Sequence, residues 1–83
     1  MKEIEFDAGL LDRVRSLQVV SAVQEVFGQP HRHEGTGLRK LIKGHYEVRL
    51  GLGQRLVFED RGHVLYFKML GNHDQVRRFL KGL

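Results

Sequence analysis

The chain has 83 residues, 41% apolar and 29% charged, with one proline and no cysteine, the composition of one folded domain over residues 1–83. Its size leaves no room for a second core or a large cofactor chamber. The missing cysteines rule out a disulfide scaffold, a zinc–thiolate site and a thiol nucleophile, and the net charge of +4 is split into −2 over residues 1–30 and +6 over 31–83.

The opening Met1-Lys2-Glu3-Ile4-Glu5 is too acidic for a signal peptide, and no apolar run approaches the roughly 18 residues of a membrane span, so a cytoplasmic protein is expected. Ile4-Glu5-Phe6 alternates and reads as a short strand, with Asp7 as an N-cap. Leu10, Leu11, Val14 and Leu17 form one helical stripe, and Val19, Val20, Val23, Val26 and Phe27 form a second. The two stripes point to opposite sides of a continuous helix, so a break near Leu17-Gln18 and a helical hairpin are expected, ended by Gly28 and Pro30.

Residues 31–43 are polar, basic and glycine-containing and read as a loop running into a strand edge. His45–Gly51 then alternates, with Tyr46, Val48 and Leu50 on one face and His45, Glu47 and Arg49 on the other. Gln54–Glu59 and His63–Gly71 follow as strands, joined by the Asp60-Arg61-Gly62 turn. Asn72 with Gln75 forms a capping-box pattern, and Val76, Phe79, Leu80 and Leu83 give a closing helix an apolar face opposite Arg77, Arg78 and Lys81. The expected fold is α+β: a strand, a helical hairpin, a three-stranded antiparallel meander and a short C-terminal helix. The hairpin covers one face of the sheet, which leaves the other face for a site.

The positive part of the chain, which also holds all five histidines, points to a phosphate-rich partner, because clustered Lys and Arg bind polyanions by releasing counterions. Arg49 and Arg55 fall on outward positions of neighbouring strands. A phosphodiester between them would relieve their repulsion. Pairing with Glu47 and Glu59 would do so too, and spacing alone favours that alternative. His73, at the first position of the closing helix, faces unsatisfied backbone N–H groups that favour an anion, and an imidazole is suited to general-acid work near neutrality. His31, His33 and Glu34 make a poor tetrahedral fork, so no metal is expected. Gly35-Thr36-Gly37 lacks the full phosphate-loop spacing.

Leu38-Arg39-Lys40-Leu41-Ile42-Lys43-Gly44, Tyr46-Glu47-Val48-Arg49, Gln54-Arg55-Leu56-Val57-Phe58 and Gly71-Asn72-His73-Asp74, in that order, resemble the carboxy-terminal half of the RelE/ParE toxin superfamily over residues 38–76. The resemblance implies the toxin of a toxin–antitoxin pair, a ribosome-dependent endonuclease of messenger RNA of the RelE, YoeB and HigB type. It needs no cofactor and works by attack of the 2′-hydroxyl on its own phosphodiester. It further implies that Arg55 holds the scissile phosphate, that Arg49 assists, and that His73 protonates the leaving 5′-oxygen. Arg39, Lys40 and Lys43 would grip messenger or ribosomal RNA. The general base is open among Glu34, His45 and Glu47, and no tyrosine follows His73 where some members carry one. The implied partners are a cognate antitoxin, messenger RNA on the ribosome and, without the antitoxin, a second copy of the chain, with no membrane. The other reading is a ParE-like toxin that binds gyrase, or an inactive binding module on the same scaffold.

Overall fold

The computed structural model describes residues 2–13, 17–27, 37–50 and 53–83. In chain order the elements are β1 (Glu3–Phe6), α1 (Leu10–Arg13), α2 (Leu17–Val26), β2 (Leu38–Lys40), β3 (His45–Arg49), β4 (Arg55–Asp60), β5 (Val64–Gly71) and α3 (His73–Lys81). The strands form one sheet in the order β1-β5-β4-β3-β2, antiparallel throughout except that β1 runs parallel to β5. The fold is thus α+β as expected, with a fifth strand where residues 31–43 read as a loop.

Three residues are too few to show a period, so β2 carries no alternation signal of its own. It forms because Lys43 and Gly44, both at positive φ, turn the chain back and set Leu38 opposite Val48 and Lys40 opposite Tyr46. Leu38 then packs against the core from the edge of the sheet.

One sheet face carries the main core. Val48, Leu56, Phe58, Leu65, Phe67 and Leu70 are buried there beneath Leu10 of α1 and Val20 and Val23 of α2, as two helical stripes serving one core require. Tyr46 stacks on Phe58 at 5.5 Å, with Phe27 edge-on to Tyr46 at 4.9 Å. The Gln24 side-chain amide donates to the Lys2 carbonyl and ties α2 to the first strand.

The described part of the first helix, Leu10–Arg13, follows Gly9 at φ 79°. Asp7 is not an N-cap: its carboxylate accepts from the Tyr66 hydroxyl at 3.0 Å, and Leu10 N–H donates instead to the Asp7 main-chain carbonyl. Val14 and the residues proposed to end the second helix, Gly28 and Pro30, lie outside the described residues.

The second sheet face is also partly covered, which corrects the expectation of an open platform. Val57 and Val76 are buried outside the main core cluster, and the Phe79 ring of α3 stands edge-on to His45, with ring centroids 6.0 Å apart. The closing helix therefore lies against this face, on the apolar side that its sequence pattern supplies. Its capping box is complete, with Gln75 N–H donating to Asn72 Oδ1 and Asn72 N–H to Gln75 Oε1. Among the described residues no helix is long and apolar enough to cross a membrane.

Candidate active site

The site is built at the end of the sheet where β3, β4 and β5 meet the start of α3. Strand alternation sends His45, Glu47 and Arg49 to the face opposite α1 and α2. Arg49 pairs directly with Arg55, and Arg55 in turn with Gly71. On the other side, Arg49 N–H donates to the Gly37 carbonyl. Across the sheet the row reads Gly37, Arg49, Arg55, Gly71, so a glycine flanks each guanidinium.

A β-bulge makes this row. The ladder between β4 and β5 runs Val57 to Met69 but Phe58 to Phe67, so Lys68 is the extra residue. Unbroken alternation from Phe67 would put Met69 on the core face and Leu70 on the other. The bulge instead sends Leu70 to the core and sets Gly71 beside Arg55. A larger residue at Gly71 would have to displace its neighbours, since an added Cβ would lie 2.7 Å from Gln75 Oε1 and 3.0 Å from Met69 Cε.

Arg55 is anchored. Its Nη1 donates to both oxygens of Glu47, at 3.4 and 3.3 Å, and the Glu47 residue is only 2% exposed. The Arg55 side chain keeps 17% of its surface accessible. The carboxylate pairing favoured by spacing is therefore present for Arg55 and not for Arg49, which is exposed and has no carboxylate in ion-pair contact among the described residues. Glu59, the other carboxylate considered, pairs with Arg61 at 2.7 Å and Lys68 at 3.2 Å. The hydrogen bond from Arg61 holds its carboxyl below the ordinary value; burial opposes this shift and Lys68 adds to it.

His73 opens α3 as an exposed side chain two residues beyond Gly71. It is thus near the Arg49–Arg55 row in chain position, and among the described residues no hydrogen bond joins it to either arginine.

Two of the candidate bases are enclosed. His45 is 2% exposed, with Nδ1 2.9 Å from the Lys43 carbonyl and Nε2 2.9 Å from the Lys68 ammonium. A carbonyl only accepts and an ammonium only donates, so Nδ1 carries the proton and both nitrogens are used. Glu47 is spent on Arg55. Both side chains are thus buried with their polar atoms already in hydrogen bonds. Glu34, with His31 and His33, lies outside the described residues. No group of three or more His, Asp or Glu suited to a metal occurs among the described residues.

Arg39 stands opposite Glu47 across the β2–β3 ladder, so it shares the face of Arg49 and Arg55. Lys40 is exposed beside it. Lys43 donates through Nζ to the Leu83 carbonyl at 2.7 Å, which links the β2–β3 turn to the end of α3. Sequence reasoning missed Lys68: its place in a strand said nothing of a bulge, and its contacts to His45 and Glu59 exist only because of one.

No protein-family model matches the sequence, and no curated protein matches it significantly. Solved structures do. A mutant of the Escherichia coli toxin RelE, in complex with a peptide of the antitoxin RelBc, aligns with a TM-score of 0.55 at 24% identity, over 99% of this chain and 94% of that one. YafQ from E. coli aligns at 0.50 and 12% identity, over 92% of this chain and 98% of that one. A YafQ mutant aligns at 0.51 and 11% identity, with the same coverage. The chain shares the fold of RelE and YafQ over nearly its whole length.

Proposed function

We propose that this chain is the toxin of a toxin–antitoxin pair and a metal-independent endoribonuclease acting on messenger RNA at the ribosome. The observation that carries the reading is the Arg49–Arg55 row: two guanidiniums opposite one another on adjacent strands, only one of them neutralised, beside a helix that begins with His73. Planar forks of donors suit the non-bridging oxygens of a phosphodiester and strengthen as charge builds in the transition state.

In this reading Arg55 and Arg49 hold the scissile phosphate. The 2′-oxygen forms its bond to phosphorus as the bond to the 5′-oxygen breaks, leaving a 2′,3′-cyclic phosphate. His73 delivers a proton to the departing 5′-oxygen. With His45 and Glu47 enclosed, Glu34 is the remaining candidate to take the proton of the 2′-hydroxyl. The exposed Arg39, Lys40 and Lys43 line the β2 edge and its turn, where they would grip RNA backbone.

A cognate antitoxin is part of the proposal, an acidic or amphipathic segment laid over the basic face. The RelE neighbour, which is bound to an antitoxin peptide, supports that expectation. The test is inducible expression of the wild type beside Arg55→Ala, following growth and messenger integrity together. Growth arrest with messenger cleavage by the wild type alone is expected, and equal cleavage by both proteins would overturn the assignment. The ParE-like or inactive reading draws on one observation, that Glu47 already occupies Arg55. Capture of gyrase with messenger left intact would select it.

A further inference from the structure

Glu47 is the acidic side chain that bonds to an arginine of the proposed site, and its surroundings are specific. Arg39 stands directly opposite it on β2, Arg49 follows two residues along β3, and Arg55 bonds to it from β4. Only Nη1 of Arg55 is used, and it is shared between both carboxylate oxygens. Among the described residues the Nε and Nη2 donors of Arg55 have no carboxylate acceptor. That edge is the fork that binds a phosphate in a bidentate manner. A buried carboxylate is costly unless it is held by a partner, so an enclosed Glu47 at the centre of a cationic cluster needs a reason beyond packing.

We propose that Glu47 is a specificity-determining and positioning residue: it aims the free edge of Arg55 outward and biases the seat toward internal phosphodiesters and against doubly charged terminal phosphates. This rests on the endoribonuclease reading and deepens it by naming the phosphate class the seat selects. The physical reason is that the repulsion between a fixed negative charge and a bound anion grows in proportion to the anion's charge. A diester carries one negative charge, whereas a terminal phosphate carries about 1.5 to 2 at neutral pH. Glu47 therefore penalises a phosphate end up to twice as strongly as an internal linkage, while the arginines attract both. An enzyme that cuts within a chain gains from this, since the internal linkage it cuts and the cyclic phosphate it leaves each carry one negative charge, whereas phosphorylated RNA ends would otherwise compete for the same guanidiniums.

The test uses a short RNA with every 2′-oxygen methylated, so that it cannot be cleaved, prepared with and without a 3′-terminal phosphate. Binding is measured at constant ionic strength for the wild type, Glu47→Gln and Arg49→Gln, with folding of each protein followed by circular dichroism. The wild type is expected to bind the two forms within about twofold. In Glu47→Gln, which keeps the shape and an acceptor for Arg55, the ratio should move about tenfold toward the phosphorylated form. Arg49→Gln changes an exposed residue with no ion-pair partner among the described residues, so its folding is secure. Removing its positive charge should move the ratio the opposite way. Wild-type cleavage on ribosomes with an unchanged ratio in either folded variant would overturn the role of Glu47 and leave the endonuclease reading standing. Binding of neither RNA by the wild type, with no cleavage, would overturn the phosphate seat and the inference with it.

Discussion

The Lys68 ammonium lies 2.9 Å from Nε2 of His45, and the ring's other nitrogen is joined to the Lys43 carbonyl. The bulge that frees Lys68 from the ladder therefore also satisfies a buried imidazole under the closing helix. Removing the amine leaves a buried acceptor without a partner, which costs about 1–3 kcal/mol. Lys68→Met should lose that much in urea unfolding, and the double change with His45→Phe should regain part of it, because both polar partners are then gone. A Lys68→Met protein as stable as the wild type would show that the contact contributes nothing.

Cleavage should depend on His73 and Arg55 in different ways. Arg55→Ala should lower turnover by about 10²–10³-fold through loss of charge stabilisation in the transition state, and His73→Ala by roughly 10²–10⁴-fold through loss of the proton donor. Arg55→Ala also strands Glu47, so its stability should fall where that of His73→Ala, a change at an exposed position, should not. Single-turnover cleavage of messenger on programmed ribosomes, with a melting curve for each variant, separates the two effects.

Stability should fall in acid through two identified carboxylates. Glu59 is held below its ordinary value first by the Arg61 hydrogen bond. Burial works to raise Asp60, but the Lys2 ammonium and the Gly62 N–H outweigh it and the net shift is downward. Both groups bind protons more readily unfolded than folded, so their contribution is complete above the unfolded carboxylate range of about 4 and is lost as pH falls through the lower folded values. Lys2→Met and Arg61→Met should each flatten the acid side of a stability–pH profile and leave its alkaline side unchanged. Identical acid limbs in wild type and variants would disprove the linkage.

Gly71→Ala should destabilise the start of α3. The new methyl would lie 2.7 Å from Gln75 Oε1, the atom that accepts from Asn72 N–H in the capping box. Expelling Gln75 breaks one half of the box, at a cost of about 0.5–2 kcal/mol. Hydrogen exchange at the amides of the first helical turn should rise more than exchange in β3, and an even rise across the sheet would point to some other cause.

Much of the architecture could be read along the chain. Tyr46 and Val48 alternate against Glu47 and Arg49, and Asn72 with Gln75 announces a helix that the structure starts at His73. These signals are local: a period of two, a spacing of three, a cap. β2 was not legible, because Leu38–Lys40 is too short to have a period and exists only through pairing with β3.

The same division holds at the candidate site. The residue types alone supplied the chemistry: basic side chains gathered in the second part of the chain, no thiol, and an imidazole at a helix start. Which of them are available was decided by long-range geometry. Glu47 and His45 read as open polar positions on an alternating strand, yet they become enclosed because α3 returns to cover their face and because Arg55 and Lys68 arrive from neighbouring strands. Side-chain direction along a strand follows from backbone periodicity, which one segment encodes by itself. Burial and partnership depend on which other segments pack there, and a bulge of one residue in β5 is enough to change which partners a whole row receives.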